Sequence, residues 1–317
     1  MKGLVLGFIA TLAVASVCVT ATDRPIIGIL SLTDNDVKPP YKSYIPASYV
    51  KYLEMGGARV VPLKYTDGVD AIKSQLKYLN GALFTGGAGS FLEDGKLTLF
   101  SEVGMAILDE VRNAAANGET WPLWGTCMGF QFIHFLLAYP DTSVLTAGWD
   151  SYNLSIPLDF TSTASKSRMF SAAPGNIMKI LATQPVTMNN HHSAISIAAF
   201  EGTAALNTNL TMLSTNKDRN GKAFVSTVEG TTLPIYATQF HPEKPMFEWN
   251  PSEGIDHSDD SVLANSFFPK YFVDQARLNS RKFPSWEEES AALIYNYEPV
   301  FTAKEDPDHF DQCYFFE

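Results

Sequence analysis

The first half of the chain alternates between two kinds of stretch, and that alternation is the strongest constraint on its fold. Pro25–Leu32 is a continuous apolar run of the kind a strand buried on both faces shows. Ile45–Met55 carries Tyr49, Val50, Tyr52, Leu53 and Met55 and reads as a helix closed by Gly56 and Gly57. Ala58–Leu63 is a second strand. Asp70–Leu79 is a helix with Ile72, Leu76 and Leu79 on one face. Gly81–Phe84 is a third strand, followed directly by Thr85-Gly86-Gly87, and Leu97–Ala116 is a longer helix. A fourth strand, Pro122–Trp124, leads into a helix over Phe130–Leu137. Strand–helix repeats of this kind predict an α/β fold with a doubly wound, mostly parallel central sheet flanked by helices.

The fourth strand enters its helix through Trp121–Gln131, WPLWGTCMGFQ. Cys127 stands at the turn, with Gly125 and Gly129 on either side in a G-x-C-x-G pattern. A nucleophile in this position is presented on a sharp strand-to-helix turn, and glycines accept the backbone angles and close approach the turn needs. The helix beginning near Met128 would favour a thiolate at its N-terminus and offer amides to an oxyanion. Alone, the pattern is equally that of a buried cysteine at a strand–helix joint.

The second half has a different character. Ser151–Phe160, Ile177–Leu181, Val186–Met188 and Ser193–Ala199 read as short strand-like pieces or connectors. Met212–Thr215, Ala223–Val228 and Ile235–Gln239 read as strands between Asn/Gly/Asp turns. These predict a β-rich, partly antiparallel extension. Asp34–Lys42 and Asn250–Asp260 read as polar loops, and Ser261–Asn279 as a helix that Pro269 kinks or splits. The aromatic tail Ala292–Glu317 is too apolar for a disordered end and is expected to pack on the body. No repeat or linker divides the chain, so residues 22–317 are expected to form a single domain.

Met1–Ala21 has a lysine near its start, an apolar core and small residues at its end, the pattern of a secretory signal peptide cleaved near Ala21. The competing reading is a membrane anchor, for which the apolar run is short. Cleavage removes Cys18 and leaves Cys127 and Cys313, either joined as a disulfide or with Cys127 held as a nucleophile. Asn153-Leu154-Ser155 and Asn209-Leu210-Thr211 are glycosylation acceptor sequences, at Asn153 and Asn209. The net charge of −11, with no basic run, argues against a nucleic-acid partner. No later stretch is long and apolar enough to cross a membrane once the signal is removed. The reading requires neither a cofactor nor a metal.

A cysteine nucleophile needs a base and a group that orients it. His134 lies two turns along the helix after Cys127 and reads as a packing residue. His241 ends an apolar strand in Gln239-Phe240-His241-Pro242-Glu243. A carboxylate two residues on can meet the imidazole around a proline-fixed turn, hold its tautomer and stabilise its charged form.

G-x-C-x-G after a strand, T-G-G after the preceding strand and a later strand ending in H-P-E together resemble the class I glutamine amidotransferase-like superfamily. Within it the chain most resembles the gamma-glutamyl hydrolase family. The residues that carry this resemblance are SYIPASYVKYLEMGGARVVPL, LFTGG, WGTCMGF, FHPEKPMFEW and ALIYNYEPVF, spread in order from about Pro25 to the C-terminus. The resemblance implies a cysteine hydrolase that cleaves the γ-glutamyl bonds of folate poly-γ-glutamates through a thioester. Cys127 would be its nucleophile, His241 its base and acid, and Glu243 the orienting carboxylate. The Met128 amide and an amide of Gly86 or Gly87 would form the oxyanion hole. Tyr44 and His191 would line the substrate cleft, with the adjacent His192 leaving that last position open by one residue. The resemblance also implies a homodimer and a secreted, lysosomal or vacuolar location. Gln131 departs from the family, which often has Glu there, and keeps open an alternative: a glutaminase-type hydrolase acting on another γ-glutamyl or glutamine amide. Two further classes compete. In an α/β-hydrolase the acid and histidine lie far apart in sequence, unlike His241 and Glu243. A silent binding protein would not need the intact Cys, His and Glu set.

Overall fold

The computed structural model describes residues 22–33, 40–304 and 310–317; the signal segment and most of the Asp34–Lys42 loop lie outside these residues. The order of the eight-stranded central sheet, from one edge to the other, is Arg59–Leu63, Ile26–Leu30, Ala82–Phe84, Leu123–Thr126, Ile235–Thr238, Ala223–Gly230, Leu210–Lys217 and Asp159–Phe160. The first five run parallel, and the last three continue antiparallel. The sheet is therefore the expected mostly parallel one with an antiparallel extension. Its two faces are covered by separate apolar layers. One contains Ile72 and Leu76 with Phe100, Phe130 and Phe132; the other contains Tyr49 and Leu53 with Phe268 and Phe272. Helices thus wind on both sides, which is why the inner strands carry no polar face.

A second ribbon stands beside the sheet, with Leu145–Ile156 pairing antiparallel to Thr187–Ile195. A small sheet joins the C-terminus to the N-terminal region, the order being Val300–Phe301, Gln312–Phe316, Ser43–Pro46. The tail thus packs back as expected. This pairing also corrects the N-terminal helix, which starts at Ala47 rather than Ile45, because Ser43–Pro46 is drawn into a strand by a partner over 260 residues away.

Other boundaries differ for local reasons. Ile177–Leu181 is helical, within Gly175–Thr183. Ile177, Ile180 and Leu181 are its buried residues, spaced to share one helix face, and the short apolar run hides that period. The strand entering Ser193–Ala199 stops at Ile195, where Ser196 caps a helix over Ile197–Gly202 by accepting from the Ala199 amide. The Asp259–Ala276 helix is not split: it runs through Pro269, which is buried and packs its carbonyl close to Gly56. Burial there offsets a cost that in an exposed helix is about 3 kcal/mol.

Candidate active site

Three strands deliver their C-terminal ends to one place. Ala82–Phe84 runs into Thr85-Gly86-Gly87, Leu123–Thr126 into Cys127, and Ile235–Thr238 into Gln239-Phe240-His241. Ligand sites in open parallel sheets lie at these strand ends. Backbone bonds lock the three turns together: the Cys127 amide donates to Thr238 O at 2.9 Å and the Gly129 amide to Thr85 O at 3.0 Å. The His241 amide donates to Met188 O at 2.8 Å, which ties the ribbon to the same site.

Cys127 has φ 52° and ψ −106°, a left-handed conformation that a side chain rarely adopts. The flanking glycines are sterically required. A Cβ at Gly125 would lie 2.6 Å from Gly129 O, and one at Gly129 would collide with the backbone carbonyl of Phe84. The G-x-C-x-G pattern is therefore enforced by packing of the turn against the neighbouring strand. Met128 opens the Met128–Ala138 helix, so its amide lies at the N-terminus beside the thiol. Cys127 is not joined to Cys313. The latter pairs with Val300 and Pro46 in the small sheet. The disulfide alternative is thereby removed.

His241 and Glu243 meet as the sequence predicts. His241 Nδ1 lies 2.7 Å from Glu243 Oε1, and both side chains are buried. Burial alone would lower the imidazole pKa, but the negative groups at Cys127 and Glu243 outweigh it and push it up to about 10. His241 is therefore drawn towards its charged form between a sulfur and a carboxylate, with Nδ1–H donated to Glu243.

Gly86 and Gly87 form the third wall. A Cβ on Gly86 would come within 2.6 Å of His241 Cε1 and 3.2 Å of Cys127 Cβ. Gly87 has φ +136°, and a Cβ there would lie 3.4 Å from Tyr44 Oη, which places Tyr44 beside this loop. The Gly86 amide is already engaged, donating to Tyr49 Oη at 2.8 Å.

The ribbon covers the remaining side. Asn190 O is 3.9 Å from Cys127 Sγ. Its neighbours separate the two candidate histidines. His191 is buried, with Nδ1 3.0 Å from Ser193 O and its ring edge-on to Phe224. Burial lowers its pKa to about 3, so it is neutral and donates Nδ1–H to that carbonyl. His192 is exposed and stacks on Tyr152 with ring centroids 5.1 Å apart. His134 is buried far down the helix, bonded to Phe130 O at 2.8 Å, with its pKa lowered by burial to about 4. Gln131 donates from Nε2 to Ser193 O at 2.7 Å and to Gln239 Oε1 at 3.2 Å. A carboxylate could not make these bonds, so the glutamine suits its own surroundings.

Sequence reasoning missed Tyr49, Asn190 and an ion pair between Lys244 and Glu253. Asn190 Nδ2 donates to Glu253 Oε1 at 3.0 Å, and Asn190 Oδ1 accepts from the Asn153 amide at 2.9 Å. Nothing in their sequence neighbourhoods marked Tyr49 and Asn190, because they act through contacts 37 to 192 residues apart, and the Lys244–Glu253 pair closes only across the loop between them. The side chain of Asn153 is bonded to the 252–254 loop, with Nδ2 2.9 Å from Ser252 O. Asn209 Nδ2 donates to Ala205 O at 2.8 Å. Among the described residues, no group of three or more His, Cys, Asp or Glu is placed to hold a metal, and no helix is long and apolar enough to span a membrane.

The geometry fits a cysteine hydrolase, and the family model for peptidase C26 matches residues 25–243, more than half of the chain. The chain belongs to the peptidase C26 family. A gamma-glutamyl hydrolase B of Dictyostelium discoideum is 38% identical over 299 residues, covering 94% of this chain and 84% of that one. The gamma-glutamyl hydrolase of Homo sapiens is 37% identical over 297 residues, covering 93% and 90%. Among solved structures, the glutaminase domain of a CTPS from Trypanosoma brucei, with bound acivicin, superposes with a TM-score of 0.50. It is 15% identical over 82% of this chain and 96% of that domain, a likeness of fold alone. Membership of peptidase C26 makes this chain an enzyme of the hydrolase class.

Proposed function

We propose that this peptidase C26 member hydrolyses the γ-glutamyl bonds of folate poly-γ-glutamates, with Cys127, His241 and Glu243 as its catalytic set. The observation that carries the reading is His241 held between Cys127 and Glu243 at the ends of adjoining parallel strands. The Cys127 thiolate attacks the γ-amide carbonyl carbon, forming a C–S bond and an oxyanion. The amides of Met128 and Gly87 are the donors of choice for that oxygen, since the Gly86 amide is held by Tyr49. Each such donor is worth about 3–4 kcal/mol in related acyl transfers. The His241 imidazolium gives its Nε2 proton to the departing amine as the C–N bond breaks, leaving a thioester. Water then attacks the thioester carbonyl, its proton passing to His241. The C–S bond breaks and a γ-carboxylic acid is released. Tyr44, beside Gly87, and His191, on the ribbon, are assigned to the substrate cleft. Residues 22–317 act as one domain, delivered by the signal segment into the secretory pathway towards a secreted, lysosomal or vacuolar location. There Asn153 and Asn209 stand in glycosylation acceptor sequences and the protein works as a homodimer, without metal or cofactor.

Cys127→Ala should fold, bind pteroyl-polyglutamate and lose turnover by on the order of 10⁴-fold or more. Product analysis on a folate with a defined γ-glutamyl chain, with free glutamine as a control, checks this. Wild-type turnover by the alanine variant would disprove the nucleophile, and preference for free glutamine would replace the substrate class.

A further inference from the structure

The buried hydroxyl of Tyr49 is used by no step above, yet it stands where two parts of the site meet. We infer that Tyr49 is a positioning residue that ties the Gly86-Gly87 loop to the His241–Glu243 pair, so that the oxyanion donors and the general acid keep one fixed relation. This rests on the hydrolase reading of Cys127, His241 and Glu243.

Tyr49 lies on the Ala47–Met55 helix and is fully buried, with Phe310 edge-on to its ring. Its oxygen accepts the Gly86 amide at 2.8 Å and lies 3.3 Å from His241 Nδ1. The single Nδ1 proton serves the shorter contact, Glu243 Oε1 at 2.7 Å. The tyrosine proton is therefore free to turn towards the Glu243 carboxylate, one of the groups that acts on Tyr49. Glu243 has room for such a donor: it is fully buried, and its Oε2 has no other hydrogen-bond partner. Burial first, then the nearby Glu243 and Cys127, raises the phenol pKa well above its ordinary value, so the proton stays on the oxygen. The fit is tight as well as polar, since a Cβ on Gly86 would lie 2.6 Å from Tyr49 Oη. One hydroxyl thus holds the loop from one side and stands against the His241–Glu243 pair on the other.

Tyr52, one turn along the same helix, is an internal control: it is equally buried, but its hydroxyl has no hydrogen-bond partner. In the full chain, Tyr49→Phe should lower kcat by about 10- to 100-fold, as small displacements of catalytic groups do. KM should stay within about twofold, because the residue does not touch substrate. Tyr52→Phe should leave kcat within about twofold. In a Glu243→Gln background, adding Tyr49→Phe should cost less than in the parent, since the two act as a unit. Wild-type kcat in Tyr49→Phe, alongside an inactive Cys127→Ala, would overturn this role while leaving the hydrolase reading intact. Full multiplication of the two losses would overturn the link through Glu243. An active Cys127→Ala would instead defeat the underlying reading.

Discussion

His241 and His191 are nearly equally buried, at 3% and 4% exposed, and close enough to influence one another, yet they are driven in opposite directions. One is pushed up to about 10 and the other down to about 3. Desolvation is the first cause for both and acts the same way on both. The difference lies in partners. His241 faces Cys127 and a carboxylate 2.7 Å away. The nearest partners of His191 are a backbone carbonyl and the side-chain oxygen of Asn189, neither of which carries a charge. Burial makes an imidazole neutral unless a fixed anion is supplied, and the H-P-E turn supplies one. Two nearly equally buried histidines of one site are thus driven apart, His241 towards its charged form and His191 towards its neutral one.

The largest effect should come from removing the anion that separates the two. Glu243→Gln keeps shape but withdraws the charge and disturbs the tautomer of His241, and should lower kcat by about 10³- to 10⁴-fold. Steady-state kinetics on a γ-glutamyl substrate measure it. Retention of full kcat would mean that Cys127 alone holds His241 in its charged form.

The next effect is on stability against pH. His241 has a folded pKa above its ordinary 6.5, so its contribution is complete below about 6.5 and is lost as pH rises towards about 10. His191 has a folded pKa below 6.5, so its contribution is present above that value and is lost as pH falls towards about 3. His134 adds to the acid-side loss down to about 4. The unfolding free energy, followed by denaturant unfolding across pH, should therefore fall on both sides of neutrality, by at most about 1.4 kcal/mol per pH unit for each proton. Glu243→Gln should flatten the alkaline side, and His191→Gln the acid side. If either variant flattens the opposite side, the contrast between the two histidines is wrong.

The smallest effect concerns the floor beneath them. Gln131→Glu would set a carboxylate against two acceptors, Ser193 O and Gln239 Oε1, and should cost about 1–3 kcal/mol of stability in denaturant unfolding at neutral pH. That cost should shrink in acid as the carboxyl gains a proton. A neutral-pH stability equal to the parent would show that the glutamine bonds can be replaced.

Much of this was written locally. The alternation of apolar runs and amphipathic helices specified the parallel half of the sheet, because strands buried on both faces need unbroken apolar sequence. G-x-C-x-G and H-P-E were legible because each constrains its own few residues: Gly125 and Gly129 have no room for a side chain, and Glu243 reaches His241 across one proline. Family resemblance then tied those distant motifs to one site. The tertiary structure decided what depends on partners remote in the chain. Ser43–Pro46 is a strand only because the C-terminus lies against it. The helix runs unbroken through Pro269, which the fold buries against its neighbours. Tyr49 looked like one more core aromatic on a helix face. Its hydroxyl became part of the site only when folding brought Gly86 and His241, 37 and 192 residues away, to within hydrogen-bonding range of it. A sequence states which residues are apolar and which can ionise; the charge an ionisable group carries when buried is set by what the fold places beside it.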